Sequence, residues 1–66
     1  MTIGVNISRL RQSQNLTQEE LAGRTGISTS YLSRLEQGVE TAHVKTLTRI
    51  AECLGVELRE LFDGEL

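Results

Sequence analysis

Residues 16–38 read LTQEELAGRTGISTSYLSRLEQG, and the order of hydroxyl, carboxylate, glycine and leucine in this stretch decides the fold. Thr17 followed three residues later by Glu20 is a capping box, in which each side chain satisfies a backbone N–H that a helix start leaves unpaired. Leu16 and Leu21 bracket it as a hydrophobic staple, so a helix begins here. It ends at Gly26, because glycine enters the left-handed conformation without strain. Ser28 can cap another helix at once, with Ile27 and Leu32 as a second staple, and Leu32 and Leu35 carry an apolar stripe as far as Gly38. Only about three residues separate the two helices. Such a pair is an angled helix-turn-helix over about residues 18–37, whose second helix, from about Ser28 to Gln37, can project from the body.

On the N-terminal side, Ile3, Ile7 and Leu10 recur at helical spacing from Thr2 and predict a first helix that runs out near Gln14-Asn15. On the C-terminal side, Val44, Leu47, Ile50, Ala51 and Leu54 make a long apolar face closed by Gly55. Leu58, Leu61 and Phe62 predict a short fifth helix before Asp63-Gly64. Alternating strand patterns and repeats are absent, so residues 1–66 are expected to form one all-α, five-helix domain. A core of this size supplies only about 3–5 kcal/mol, which favours a partner subunit. The N-terminal residues lack the basic and apolar regions of a signal peptide, and no apolar stretch approaches the roughly 18 residues of a membrane span. A soluble cytoplasmic protein without a membrane partner is expected. The single cysteine, Cys53, has no intrachain partner and fits a reducing compartment.

The blocks Leu16–Ala22, Thr25–Ser28 and Tyr31–Gly38, followed by Thr46-Leu47, Ile50-Ala51 and Leu54-Gly55-Val56, resemble the Cro/C1-type (XRE-like) helix-turn-helix family over roughly residues 3–62. The resemblance implies a lambda-repressor-like fold in which helices 2 and 3 form the DNA-reading unit and helix 3 enters the major groove. It marks Arg34 as the foremost base reader, since a guanidinium bonds guanine O6 and N7 bidentately, and adds Thr29, Ser30 and Ser33 beside it. The Thr29 methyl can also pack on a thymine methyl. Thr17, Gln18 and Ser28 map to helix starts, where backbone N–H groups and the helix dipole favour phosphate, and Gln37 and Lys45 extend those contacts. Arg11 and Glu36 match a structural ion pair between helix 1 and the end of helix 3, with Arg11 also near phosphate. The implied partner is double-stranded DNA carrying an inverted repeat, bound by a homodimer whose surface includes Val56, Leu58, Leu61 and Phe62. Leu58 and Leu61 can instead close the core. Small regulators of this kind resemble phage repressors, restriction–modification controllers and antitoxin-like regulators, and the motifs do not choose between repressor and activator.

The net charge of −2 is unusual for a nucleic-acid partner, but the acids are unevenly placed. Residues 1–38 carry four arginines against three glutamates, whereas residues 39–66 carry Lys45, Arg49 and Arg59 against six acids. Where many relatives have Pro-Ser before helix 4, this chain has Ala42-His43, which removes a serine cap and should loosen the loop from Gly38 to His43. His43 has no second histidine and only Cys53 as a soft ligand, so no metal site is expected. Cys53 follows Ile50 by three residues and is expected to be a partly buried apolar residue rather than a redox thiol. No nucleophile–base pair, phosphate loop or cofactor motif points to an enzyme, and so short a chain leaves little room for a small-molecule ligand. Two other readings stand beside the DNA regulator. One is a protein-interaction module on the same fold, and the other is the DNA-binding fragment of a longer regulator.

Overall fold

A computed structural model of the chain describes residues 2–63. Four α-helices, α1 (Thr2–Ser13), α2 (Gln18–Thr25), α3 (Thr29–Gln37) and α4 (Val44–Leu54), are followed by a 3-10 helix at Leu58–Phe62. That last segment takes the place of the expected fifth helix. Its tighter winding has a physical cause: three residues per turn eclipse Leu58 and Leu61, so both face the core from a piece only five residues long. Gly64 lies outside the described residues.

Each helix boundary has a chemical origin. Thr17 Oγ1 accepts from the Glu20 N–H at 3.0 Å while Glu20 Oε1 accepts from the Thr17 N–H at 2.8 Å, completing the capping box of α2. Gly26 then takes φ +77° and its N–H returns to the Ala22 carbonyl. Ser28 Oγ accepts from the Tyr31 N–H at 3.0 Å and starts α3. Gly38, at φ +81°, ends it. The loop before α4 is tied more firmly than its composition suggests. His43 replaces the missing serine, its Nδ1 accepting from the Lys45 N–H at 3.0 Å, and Tyr31 Oη donates to the Thr41 carbonyl at 2.9 Å.

Ile7, Leu21, Leu32, Ile50 and Leu61 are fully buried at the centre, with Ala22, Leu35, Leu47, Ala51 and Leu54 around them. Every element therefore contributes a leucine or isoleucine to one core cluster. Val44, expected on the buried face of α4, is 52% exposed because the first turn of that helix extends past the core. Two polar groups are buried with partners. Thr25 Oγ1 donates within α2, and Asn6 Nδ2 donates to the Leu61 carbonyl at 2.9 Å and the Asp63 carbonyl at 2.8 Å. The Asn6 amide thus latches the 3-10 helix onto α1. Leu61 is consequently 0% exposed and cannot belong to a dimer surface. Its side chain closes the core of a single chain. Leu58 and Val56 pack partly against that core, and Phe62 is 36% exposed.

Helices α1 and α3 touch at Gly4, where an added Cβ would stand 2.3 Å from the Leu35 carbonyl oxygen and 2.8 Å from that of Glu36. Both obstacles are backbone, so the helices would have to separate. At Gly23, inside α2, an added Cβ meets nothing within 4 Å. Gly4→Ala is expected to destabilise the fold by about 1–3 kcal/mol or more, and Gly23→Ala to stabilise it by about 0.5–1 kcal/mol, both read by urea unfolding.

Candidate nucleic-acid interface

Helix α3 presents two unlike sides because its apolar residues occupy one arc. Leu32 and Leu35 are buried, while Thr29, Ser30, Arg34 and Gln37 are exposed and Ser33 is half-buried. At 100° per residue the latter five fall within roughly 140° of one another, a continuous polar strip facing away from the core. A helix with side chains is about 10–12 Å across, which matches the roughly 12 Å width of the major groove of B-DNA. Gln37 Nε2 lies 3.3 Å from Ser33 Oγ within the strip.

The strip is aimed by a carboxylate. Glu36 Oε2 accepts from Arg11 Nε at 2.8 Å and Glu36 Oε1 from Arg11 Nη2 at 3.0 Å, a bidentate pair joining α1 to α3. Arg11 Nη1 donates further to the Leu16 carbonyl at 2.7 Å. Gln18 Nε2 donates to Glu36 Oε1 at 3.0 Å, so α2 is fixed to the same group. With 11% and 6% of their side chains exposed, Arg11 and Glu36 are nearly buried.

The structure brings Thr17, Gln18 and Thr29 together with Arg11 and Glu19 around one open concavity between the starts of α2 and α3. Gln18 has one amide hydrogen engaged with Glu36 and retains a second, together with its carbonyl oxygen, for an outside partner. Thr17 and Ser28 use their oxygens as caps and keep their hydroxyl hydrogens to donate. The first-turn N–H groups of α2 and α3 have no intrahelical partner, so both helix starts favour an anion. Glu20, on the first turn of α2, is held below the ordinary carboxylate range, chiefly by the backbone N–H of Thr17, then by its hydroxyl and by nearby Arg24. Lys45 is exposed on the first turn of α4, beyond the capped loop.

Two further residues lie close to Arg34. Its guanidinium carbon is 6.0 Å from the centroid of the Tyr31 ring, and its Nε is 3.7 Å from Glu40 Oε1. The spacing of Tyr31 and Arg34 by three residues on one helix could have revealed the first contact. Nothing in the sequence points to Glu40, which arrives from the following loop. Elsewhere, a pocket of about 90 Å³ between Ile3, Leu35, Ala42 and Leu47 is well below the roughly 300–1,000 Å³ of small-molecule sites. Among the described residues no three His, Cys, Asp or Glu side chains stand close enough to hold a metal ion, and no helix is long and apolar enough to cross a membrane. Cys53 is half-buried, with Sγ 3.5 Å from the Arg24 carbonyl.

Comparison with known proteins places this geometry. A family model described as helix-turn-helix matches residues 7–61. Over 59 residues the chain is 48% identical to y4dJ, an uncharacterized HTH-type transcriptional regulator of Sinorhizobium fredii, a match covering 89% of this chain and 77% of the relative. Its structure is similar to that of the restriction–modification controller protein C.AhdI from Aeromonas hydrophila, with TM-score 0.89, 33% identity and 92% of each chain covered. It is also similar to SinR, a master regulator for biofilm formation solved in complex with DNA, with TM-score 0.87 and 29% identity, covering 92% of this chain and 98% of that one. Some relatives are longer, and the chain spans 42% and 45% of two of them.

The Glu36 carboxylate gives a direct test. Glu36→Ala leaves the Arg11 guanidinium nearly buried without its partner and is expected to cost about 3–5 kcal/mol in thermal unfolding. Replacing Arg11 by Met and Glu36 by Leu together is expected to cost less than Glu36→Ala alone.

Proposed function

The chain belongs to the Cro/C1-type helix-turn-helix family, and on that premise we propose that it is a dimeric transcriptional regulator reading an inverted-repeat operator through α3. The observation that carries this is the polar strip of α3, exposed along its length while the opposite side of the same helix is locked into the core. Arg34 reads guanine, a bidentate contact worth about 1–3 kcal/mol of discrimination. Thr29, Ser30 and Ser33 contact neighbouring base edges. Thr17, Gln18 and Ser28 hold phosphates at the starts of α2 and α3, and Gln37 and Lys45 hold the backbone on the far side.

One monomer makes too few contacts to compete with the many nonspecific sites of a genome, whereas a twofold dimer reads two half-sites about one helical turn apart. The exposed Phe62, with the half-buried Val56 and Leu58, supplies apolar surface for that dimer. Exposed acids in the same segment, Glu57 and Asp63, are repelled by phosphate, so this end of the molecule suits a protein partner better than DNA. The cytoplasm, where bacterial and phage DNA is transcribed, is the compartment in which such a regulator works, and the proposed role requires no catalysis.

Selection of bound duplexes from a random pool at near-physiological salt tests the proposal. Wild type is expected to recover an inverted repeat, and Arg34→Ala to recover the same repeat with one base position per half-site relaxed. Failure of wild type to enrich any sequence would contradict it and favour a protein-interaction role.

A further inference from the structure

Arg34 does not stand alone in front of the groove. The Val39 N–H donates to the Arg34 carbonyl at 3.1 Å, and the Tyr31 hydroxyl donates to the Thr41 carbonyl at 2.9 Å. The backbone on both sides of Glu40 is therefore pinned to α3, which keeps its side chain within reach of Arg34. Glu40 Oε1 lies 3.7 Å from Arg34 Nε, with the Tyr31 ring below the guanidinium. A carboxylate beside a DNA-reading arginine weakens attraction to every phosphate, since nonspecific affinity comes from unneutralised Lys and Arg. In a chain already short of free positive charge, that arrangement lowers affinity for DNA.

We propose that Glu40 limits the DNA affinity of this chain by competing with DNA for Arg34, so that each contact the guanidinium makes, to phosphate or to guanine, must first displace the carboxylate. The inference rests on the reading of Arg34 as a base reader. An exposed pair of this kind favours its closed form by about fivefold or less. A bidentate guanine contact discriminates by about five- to 150-fold. The pair is therefore strong enough to blunt single contacts to phosphate and too weak to prevent a bidentate one.

The experiment measures binding of the wild-type, Glu40→Gln, Arg34→Ala and doubly substituted chains to two duplexes at near-physiological salt. One is the most enriched duplex recovered by wild type from a random pool, and the other is a shuffled duplex of the same composition. Glu40→Gln is expected to tighten binding to the enriched duplex about two- to fivefold and to the shuffled duplex by the same factor or less, because the stronger contact bears the full cost of opening the pair. In the Arg34→Ala background the same change is expected to tighten binding less. No tightening in the wild-type background, or an equal tightening without Arg34, overturns the role of Glu40. If wild type enriches nothing, or Arg34→Ala relaxes no base position, the reading of Arg34 itself falls and the proposal falls with it.

Discussion

The Glu36 carboxylate is the point on which the arrangement depends. Arg11 reaches it from α1 with two hydrogen bonds and Gln18 reaches it from α2 with one, so three helices are referenced to a single group on the last turn of α3. Hydrophobic burial is non-directional and would tolerate small rotations of α3 about its axis. A bidentate guanidinium pair is directional and does not. Rotation matters here because the residues facing outward from α3 are separated from the buried leucines by less than half a turn of the helix.

From that constraint the interface follows in steps. Fixing Glu36 sets the outward direction of Thr29, Ser30, Arg34 and Gln37, and the same hydrogen bond holds Gln18 at the start of α2 beside Thr29. Gly4 lets α1 approach the Leu35 and Glu36 carbonyls closely enough for Arg11 to reach its partner. The loop after α3 is closed by Tyr31 and capped by His43, so α4 begins at a defined place and Lys45 with it. At the other end, Asn6 holds the 3-10 helix down and commits Leu61 to the core, leaving Phe62 as the most accessible apolar side chain of that segment.

The helix boundaries were legible in the sequence because each is set by local chemistry: the Thr17–Glu20 box, the Ser28 cap, and glycines at positions 26, 38 and 55 whose φ angles are all positive. What stayed hidden depends on contacts between residues distant in the chain. The character of the last segment turned on how Leu58 and Leu61 meet the core and on a side-chain amide 55 residues away, and neither is encoded in local periodicity. In the sequence, Ala42-His43 signals a lost cap because serine is the commoner cap, although an imidazole nitrogen accepts the same hydrogen bond. The side chains of the site were identifiable by type and spacing on α3. Glu40 was not, because it belongs to no periodic pattern and acquires its meaning only when the loop folds back beside Arg34.

The most direct measurement of the central claim, that α3 and the start of α2 form the DNA-facing surface, is the pattern of backbone amide shifts in a heteronuclear NMR titration with the duplex selected by the protein. The account predicts the largest changes at Thr17, Gln18 and Ser28 through Gln37, continuing to Lys45, with Asn6 and Leu61 little affected. Changes concentrated at Val56, Leu58 and Phe62, with α3 unmoved, would contradict it.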